Sequence, residues 1–161
     1  MEITIISGGQ TGVDRGALDG ALAKQIPCAG WCPEGRLAED GIIDDKYPLT
    51  VLPNSSYRAR TRKNVEDSDA TVIIYFGYIY LRGGTELTLA TCIKQHRPYL
   101  LIDAEELSTT RAAQRLVQFI KDYDVKRLNF AGPRGSGVPK AHTYTQEAVE
   151  KMLDLLRNEK E

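Results

Sequence analysis

Three times in this chain an apolar run passes into a glycine-rich turn and then into a segment with the apolar spacing of a helix. The first case is Ile3 to Leu22. A short strand there enters the turn Ser7-Gly8-Gly9-Gln10-Thr11-Gly12, after which Val13, Ala17, Leu18, Ala21 and Leu22 share one helical face. The second begins with Ala70-Thr71-Val72-Ile73-Ile74-Tyr75-Phe76, continuously apolar and rich in β-branched residues, as a central strand buried on both faces requires. The turn Arg82-Gly83-Gly84-Thr85-Glu86 follows, and a helix over Leu87 to His96 carries Leu89, Ala90, Cys92 and Ile93. The third is the strand Arg127 to Ala131, which opens into Gly132-Pro133-Arg134-Gly135-Ser136-Gly137. A closing helix there has the stripe Val149, Met152, Leu153 and Leu156, with Thr143 and Gln146 at capping-box spacing ahead of it.

Alternating strands and helices imply a parallel sheet with right-handed crossovers and helices on both faces. The expected fold is therefore α/β: a single-domain, Rossmann-like three-layer sandwich with a mostly parallel sheet. A length of 161 residues suits one domain over the whole chain, 1–161. Ile26 to Trp31 reads as a second short strand and Leu49 to Leu52 as a brief one. Between them lies a polar loop from Cys32 to Lys46 that is long for such a domain. Tyr57 to Glu66 is a helix carrying Arg58, Arg60, Arg62 and Lys63, which face either solvent or a cleft. Pro98 to Ile102 is another strand, and Ala113, Leu116, Val117 and Ile120 mark an amphipathic helix. Lys160 and Glu161 are expected to fray.

In such a sheet every strand-to-helix loop emerges at the same edge, where ligands bind. Three glycine-rich loops there point to a shared crevice for an anionic group, held by bare N–H groups at helix starts. Tight turns that bind nothing are the alternative. Gly8, Gly9 and Gly12 do not have the spacing of a dinucleotide fingerprint. The first turn offers N–H donors, the Gln10 side chain and the Thr11 hydroxyl. Thr11 and Asp14 could equally form a capping box, and Asp14 could accept from a ligand. Glu86 is either a first-turn carboxylate or a group aimed into the crevice. Arg36, Arg82 and Arg134 lie in or beside turns expected at this edge, where a guanidinium suits phosphate or an oxyanion.

A net charge of -1 argues against nucleic acid or an acidic membrane surface as partner. No apolar run is long enough to span a bilayer, and no signal-peptide pattern precedes the first strand. Cys28, Cys32 and Cys92 have no framework spacing, so a reducing cytoplasm is the expected setting, with Cys28 and Cys32 as partly buried thiols. The two histidines, His96 and His142, suggest no metal site.

Taken together, several segments resemble the putative molybdenum carrier family. They are Gly8 to Arg15, Cys32 to Arg36 with Glu39-Asp40-Gly41, Arg60-Thr61 with Asn64-Val65, Ser68 to Thr71, Gly83-Gly84-Thr85 with Leu87-Thr88, and Leu128 to Arg134. That family sits in a wider Rossmann-like group with the cytokinin-activating "lonely guy" enzymes and proteins once called lysine decarboxylases. The resemblance implies a cytoplasmic homo-oligomer, dimer or tetramer. Its ligand would be molybdenum cofactor, molybdate or a nucleotide-like anion, with Arg60 and Asn64 turned to the crevice. The ligand set expected from loops and resemblance is Gly8, Gly9, Gln10, Thr11, Gly12, Asp14, Arg36, Arg60, Asn64, Gly83, Gly84, Thr85, Glu86, Gly132 and Arg134. The phosphoribohydrolases of the wider group carry P-G-G-x-G-T followed by x-x-E; here Arg82 to Glu86 is shorter, with the acid directly after Thr85. A carrier without turnover is the leading expectation. An enzyme acting on nucleoside monophosphates through Asp14 or Glu86, or a nucleotide sensor, is the alternative.

Overall fold

In the computed structural model, which describes residues 2–159, strands and helices alternate as the spacing predicts. The chain runs β1 (Thr4–Ile6), α1 (Val13–Ala23), β2 (Cys28–Ala29), β3 (Trp31–Cys32), β4 (Leu37–Ala38), β5 (Gly41–Ile42), β6 (Thr50–Val51), α2 (Tyr57–Glu66), β7 (Ala70–Tyr75), α3 (Gly84–Lys94), β8 (Tyr99–Asp103), α4 (Thr109–Tyr123), β9 (Arg127–Ala131) and α5 (Ala141–Asn158). The fraying expected at Lys160 and Glu161 lies outside the described residues.

Five strands form one parallel sheet in the order β2-β1-β9-β7-β8. The chain steps from β1 to β2 through α1 in one direction and from β7 to β8 through α3 in the other. Right-handed crossovers then place α1 and α3 on opposite faces. Packing agrees: α1 and α4 both lie against α5, whereas α2 lies against α3. β7 is buried from Ala70 to Ile74, as its unbroken apolar run requires. On α4, Leu116, Val117 and Ile120 face the core, each contributing about 2 kcal/mol of gross burial energy. Ser56 and Ser108 cap α2 and α4, their hydroxyls accepting from Ala59 N–H and Arg111 N–H.

Two local expectations are corrected. The strand expected over Ile26 to Trp31 is split at Gly30, whose φ of 147° and closeness to the Ser7 carbonyl no side chain would permit. Cys28–Ala29 stays in the main sheet, while Trp31–Cys32 turns away to pair with Thr50–Val51. α5 begins at Ala141, so Thr143 and Gln146 lie inside the helix and form no cap.

The long polar loop is held in place rather than free. Arg36 turns back with φ of 54° and donates to the carbonyls of Ile43, Leu49, Asp44 and Tyr47. Arg15 of α1 ties the β4–β5 hairpin to the first glycine turn, pairing with Asp40 at 2.7 and 3.1 Å and donating to the Gly9 carbonyl at 3.0 and 3.2 Å. α1 and α5 approach closely at two glycines: a Cβ on Gly16 would stand 2.5 Å from the His142 carbonyl, and one on Gly20 2.8 Å from Val149. Cys28, Cys32 and Cys92 are all buried free thiols. No helix among the described residues is long and apolar enough to cross a membrane.

Candidate functional site

The turn at the end of β1 satisfies most of its own donors. Gly9 N–H donates to Ser7 Oγ at 3.3 Å, Gln10 N–H to Asp14 Oδ2 at 3.3 Å, and Thr11 N–H to Gln10 Oε1 at 3.0 Å. Val13 N–H donates to the Pro133 carbonyl at 3.2 Å. α1 receives no side-chain cap, so the Thr11–Asp14 capping box is not formed. Instead the Thr11 hydroxyl meets Glu39 and accepts from Gly135 N–H, and Glu39 also accepts from Ser136. These bonds to Glu39, above all those from Thr11 and Ser136, hold its carboxyl below the usual range. The first turn therefore works as a junction between three loops more than as an open cradle.

What this turn presents to the crevice is Asp14, on the first turn of α1. Its carboxylate is 7% exposed and lies 3.5 Å from the Arg60 guanidinium. Burial pushes its pKa up to about 6, against the opposing pull of Arg60, the Gln10 N–H, Arg15 and Arg134. Arg60 comes from α2, where residues 57, 60, 61 and 64 share a face. It is 5% exposed, crosses over Gly8 where a Cβ would collide with it, and stacks 4.6 Å from the Tyr57 ring centroid. Its Nε has no hydrogen-bond partner among the described residues. A buried guanidinium N–H left unpaired costs on the order of 1–3 kcal/mol. On the same helix Arg58 and Arg62 are exposed, which splits the basic run between cavity and solvent.

The opposite wall is the start of α3. Gly83 is its N-cap, with no side-chain cap, which leaves first-turn N–H groups open toward the crevice. A Cβ on Gly84 would strike the Tyr57 hydroxyl, so glycine here lets the Tyr57 ring lie against the start of α3. The floor is β9, from Asn129 onward, and the Arg134 guanidinium from the next loop lies 5.6 Å from the centroid of the same Tyr57 ring. Together these elements enclose a cavity of about 310 Å³, within the range of small-ligand pockets. It opens at the carboxyl ends of β1, β9 and β7, where the strand order reverses.

Of the residues expected from the sequence, Gly8, Gln10, Asp14, Arg60, Asn64, Gly83, Gly84, Thr85, Gly132 and Arg134 line this cavity. Gly9, Thr11, Gly12, Arg36 and Glu86 do not. Gly9 packs under Leu49 and Ile43, Gly12 against the backbone of Pro133 to Gly135, and Arg36 spends its donors on loop carbonyls. Glu86 accepts from Arg82 N–H at 2.8 Å, so it does not join Asp14 as a second acid. Asn64 reaches the cavity wall, but its amide is already paired with Trp31 N–H at 2.8 Å and the Trp31 carbonyl at 3.0 Å. Tyr57, Thr61, Tyr80, Thr88, Asn129 and Val138 line the cavity without having been expected. For Tyr57 a signal existed: it lies three residues before Arg60 on a helix. Among the described residues no cluster of His, Cys, Asp and Glu could hold a metal ion.

Fold and cavity define a Rossmann-like α/β protein with a ligand-sized crevice at the switch point of a parallel sheet. Residues 5–153 match the model of the circularly permutated YpsA SLOG family, and the chain belongs to that family. It is similar to the solved structure of a "putative molybdenum carrier protein" from Syntrophus aciditrophicus, with 42% identity and a TM-score of 0.90 over 94% of this chain and 96% of that one. No curated protein matches.

Proposed function

We propose that the cavity holds a small anionic ligand and that the chain serves as a carrier of molybdenum in oxyanion form, as molybdate or as the molybdenum cofactor. The observation that carries this reading is Arg60: a buried guanidinium that lines the cavity, with the uncapped start of α3 on the same cavity. Arg134 adds a second cation at the same aromatic ring. The name of the Syntrophus relative supports the choice of molybdenum. In this reading the cargo is held through its oxygens by guanidinium and backbone N–H donors. The three buried free thiols fit a reducing cytoplasm. Exposed Leu81 and Ile93 on and before α3 fit assembly into a homo-oligomer, which sedimentation would show.

The test is purification from molybdenum-replete cells, followed by elemental analysis and assay of pterin fluorescence after oxidation. Enrichment in molybdenum, lost in Arg60→Ala, is expected. Absence of enrichment together with no thermal shift by molybdate would sink the reading.

A further inference from the structure

Beside the main cavity lies an annex of about 220 Å³. The two share Tyr80, Thr85, Pro133, Gly137 and Val138 as a common wall, so a ligand anchored at the α3 start could reach into both. The annex differs in chemistry from the cation-lined cavity. Phe76, Tyr78 and Tyr80 give it aromatic surfaces, and Glu105 and Lys140 border it. Tyr78 and Tyr80 stand edge to face with centroids 4.7 Å apart and hydroxyls bonded at 2.6 Å, yet each remains 60% exposed. The Lys140 ammonium lies 5.4 Å from the Phe76 ring centroid. Gly77 makes the space for Glu105: a Cβ there would stand 2.7 Å from one carboxylate oxygen and 3.3 Å from the other. Its φ of 85° also requires glycine. Among the described residues neither Glu105 nor Lys140 enters an ion pair.

We propose that the annex recognises a planar 2-amino-4-oxopyrimidine ring carried by the anionic ligand. The proposal rests on the reading of the main cavity as an anion site. Aromatic walls accept any flat heterocycle by stacking. The Glu105 carboxylate is selective, because it can accept from two adjacent donors at once. A ring N–H beside an exocyclic amino group is that pair of donors, and Lys140, on the border of the same annex, offers a donor for the ring's exocyclic oxygen. Pterins and guanine share this edge. Adenine presents an amino donor beside a ring acceptor, so one carboxylate oxygen would face a lone pair, a mismatch that discriminates.

Calorimetric titration of the full chain with guanosine 5′-monophosphate, adenosine 5′-monophosphate, neopterin monophosphate, ribose 5-phosphate and inorganic phosphate tests this. The guanine and pterin phosphates are expected to bind at least about tenfold more tightly than the adenine one, and the tighter of the two identifies the source of the ring. Glu105→Gln should weaken guanosine monophosphate about tenfold while leaving or improving adenosine monophosphate, since an amide matches adenine's donor and acceptor. A role confined to local charge would instead shift all five probes together. Tyr78→Ala should weaken the ring-bearing probes and spare ribose 5-phosphate. Equal binding of guanine and adenine phosphates, or an unchanged preference in Glu105→Gln, overturns the proposal while leaving the anion site standing. Failure of inorganic phosphate and ribose 5-phosphate to bind at all overturns both.

Discussion

Asp14→Asn isolates the cost of keeping a carboxylate buried at the cavity. The folded-state pKa is raised by burial from 3.8 to about 6, so the native chain takes up a proton more readily than the unfolded one. Between those values the unfolded state binds fewer protons, and stability falls as pH rises. Above about pH 6 the loss is complete, and at about 1.4 kcal/mol per pKa unit it is on the order of 3 kcal/mol. Asparagine keeps the shape, and its carbonyl can accept the Gln10 N–H, but it carries no titrating charge. Losing the counter-charge of Arg60 lowers the variant's stability at every pH at which Asp14 is ionised, so the informative quantity is the change in the gap between the two proteins. Urea unfolding from about pH 5 to about pH 8 should show the variant gaining on the wild type by roughly half the total, on the order of 1–2 kcal/mol, with the steepest change below about pH 6. A difference that stays flat over this range, or a variant that loses ground to the wild type as pH rises, refutes the assignment of Asp14 as a carboxylate kept ionised at a cost.

Three further outcomes follow from single contacts. Gly12→Ala places a Cβ against the Pro133 carbonyl and 2.8 Å from Gly135 N at a φ of 81°, and should lower stability by about 3 kcal/mol or more. Gly41→Ala, with positive φ but open space around it, should lose only about 1 kcal/mol; equal denaturation midpoints for the two would show that the close approach at Gly12 is unimportant. Arg36→Met strips donors from four loop carbonyls and should speed limited proteolysis between residues 37 and 49 several-fold, with unchanged cleavage counting against the clamp. Gly84→Ala pushes the half-exposed Tyr57 outward at little cost in melting temperature and should abolish the thermal shift caused by molybdate; a retained shift would remove Tyr57 and the α3 start from the site.

Elements were legible where a single segment carried its own signal. α2 and β9 fall on the expected bounds, and β7 ends one residue early, because apolar period and glycine punctuation are local properties. The crevice was legible too, since parallel topology sends the loops after β1, β7 and β9 to one edge. Individual donors were not. A sequence shows that Thr11, Gly9 and Arg36 can hydrogen-bond, but not that Glu39, Ser7 and four carbonyls will be nearer than any ligand. The same holds for the break at Gly30, which follows from the Ser7 carbonyl rather than from its neighbours in the chain. Tyr57 was overlooked because a basic helix reads as a solvated one until the burial of Arg60 is known.

The pairing of β1 with β9 has a consequence for how the chain is made. β1 lies between β2 and β9, and α1 packs mainly on α5, so the earliest of the described elements await the latest of them. Until β9 and α5 emerge, Ile3, Ile5 and Leu18 lack their final cover, and the ordering cost of joining the two ends is met late. The nascent chain's solubility on the ribosome is a race between the arrival of β9 and α5 and the association of the uncovered β1 and α1 with other chains.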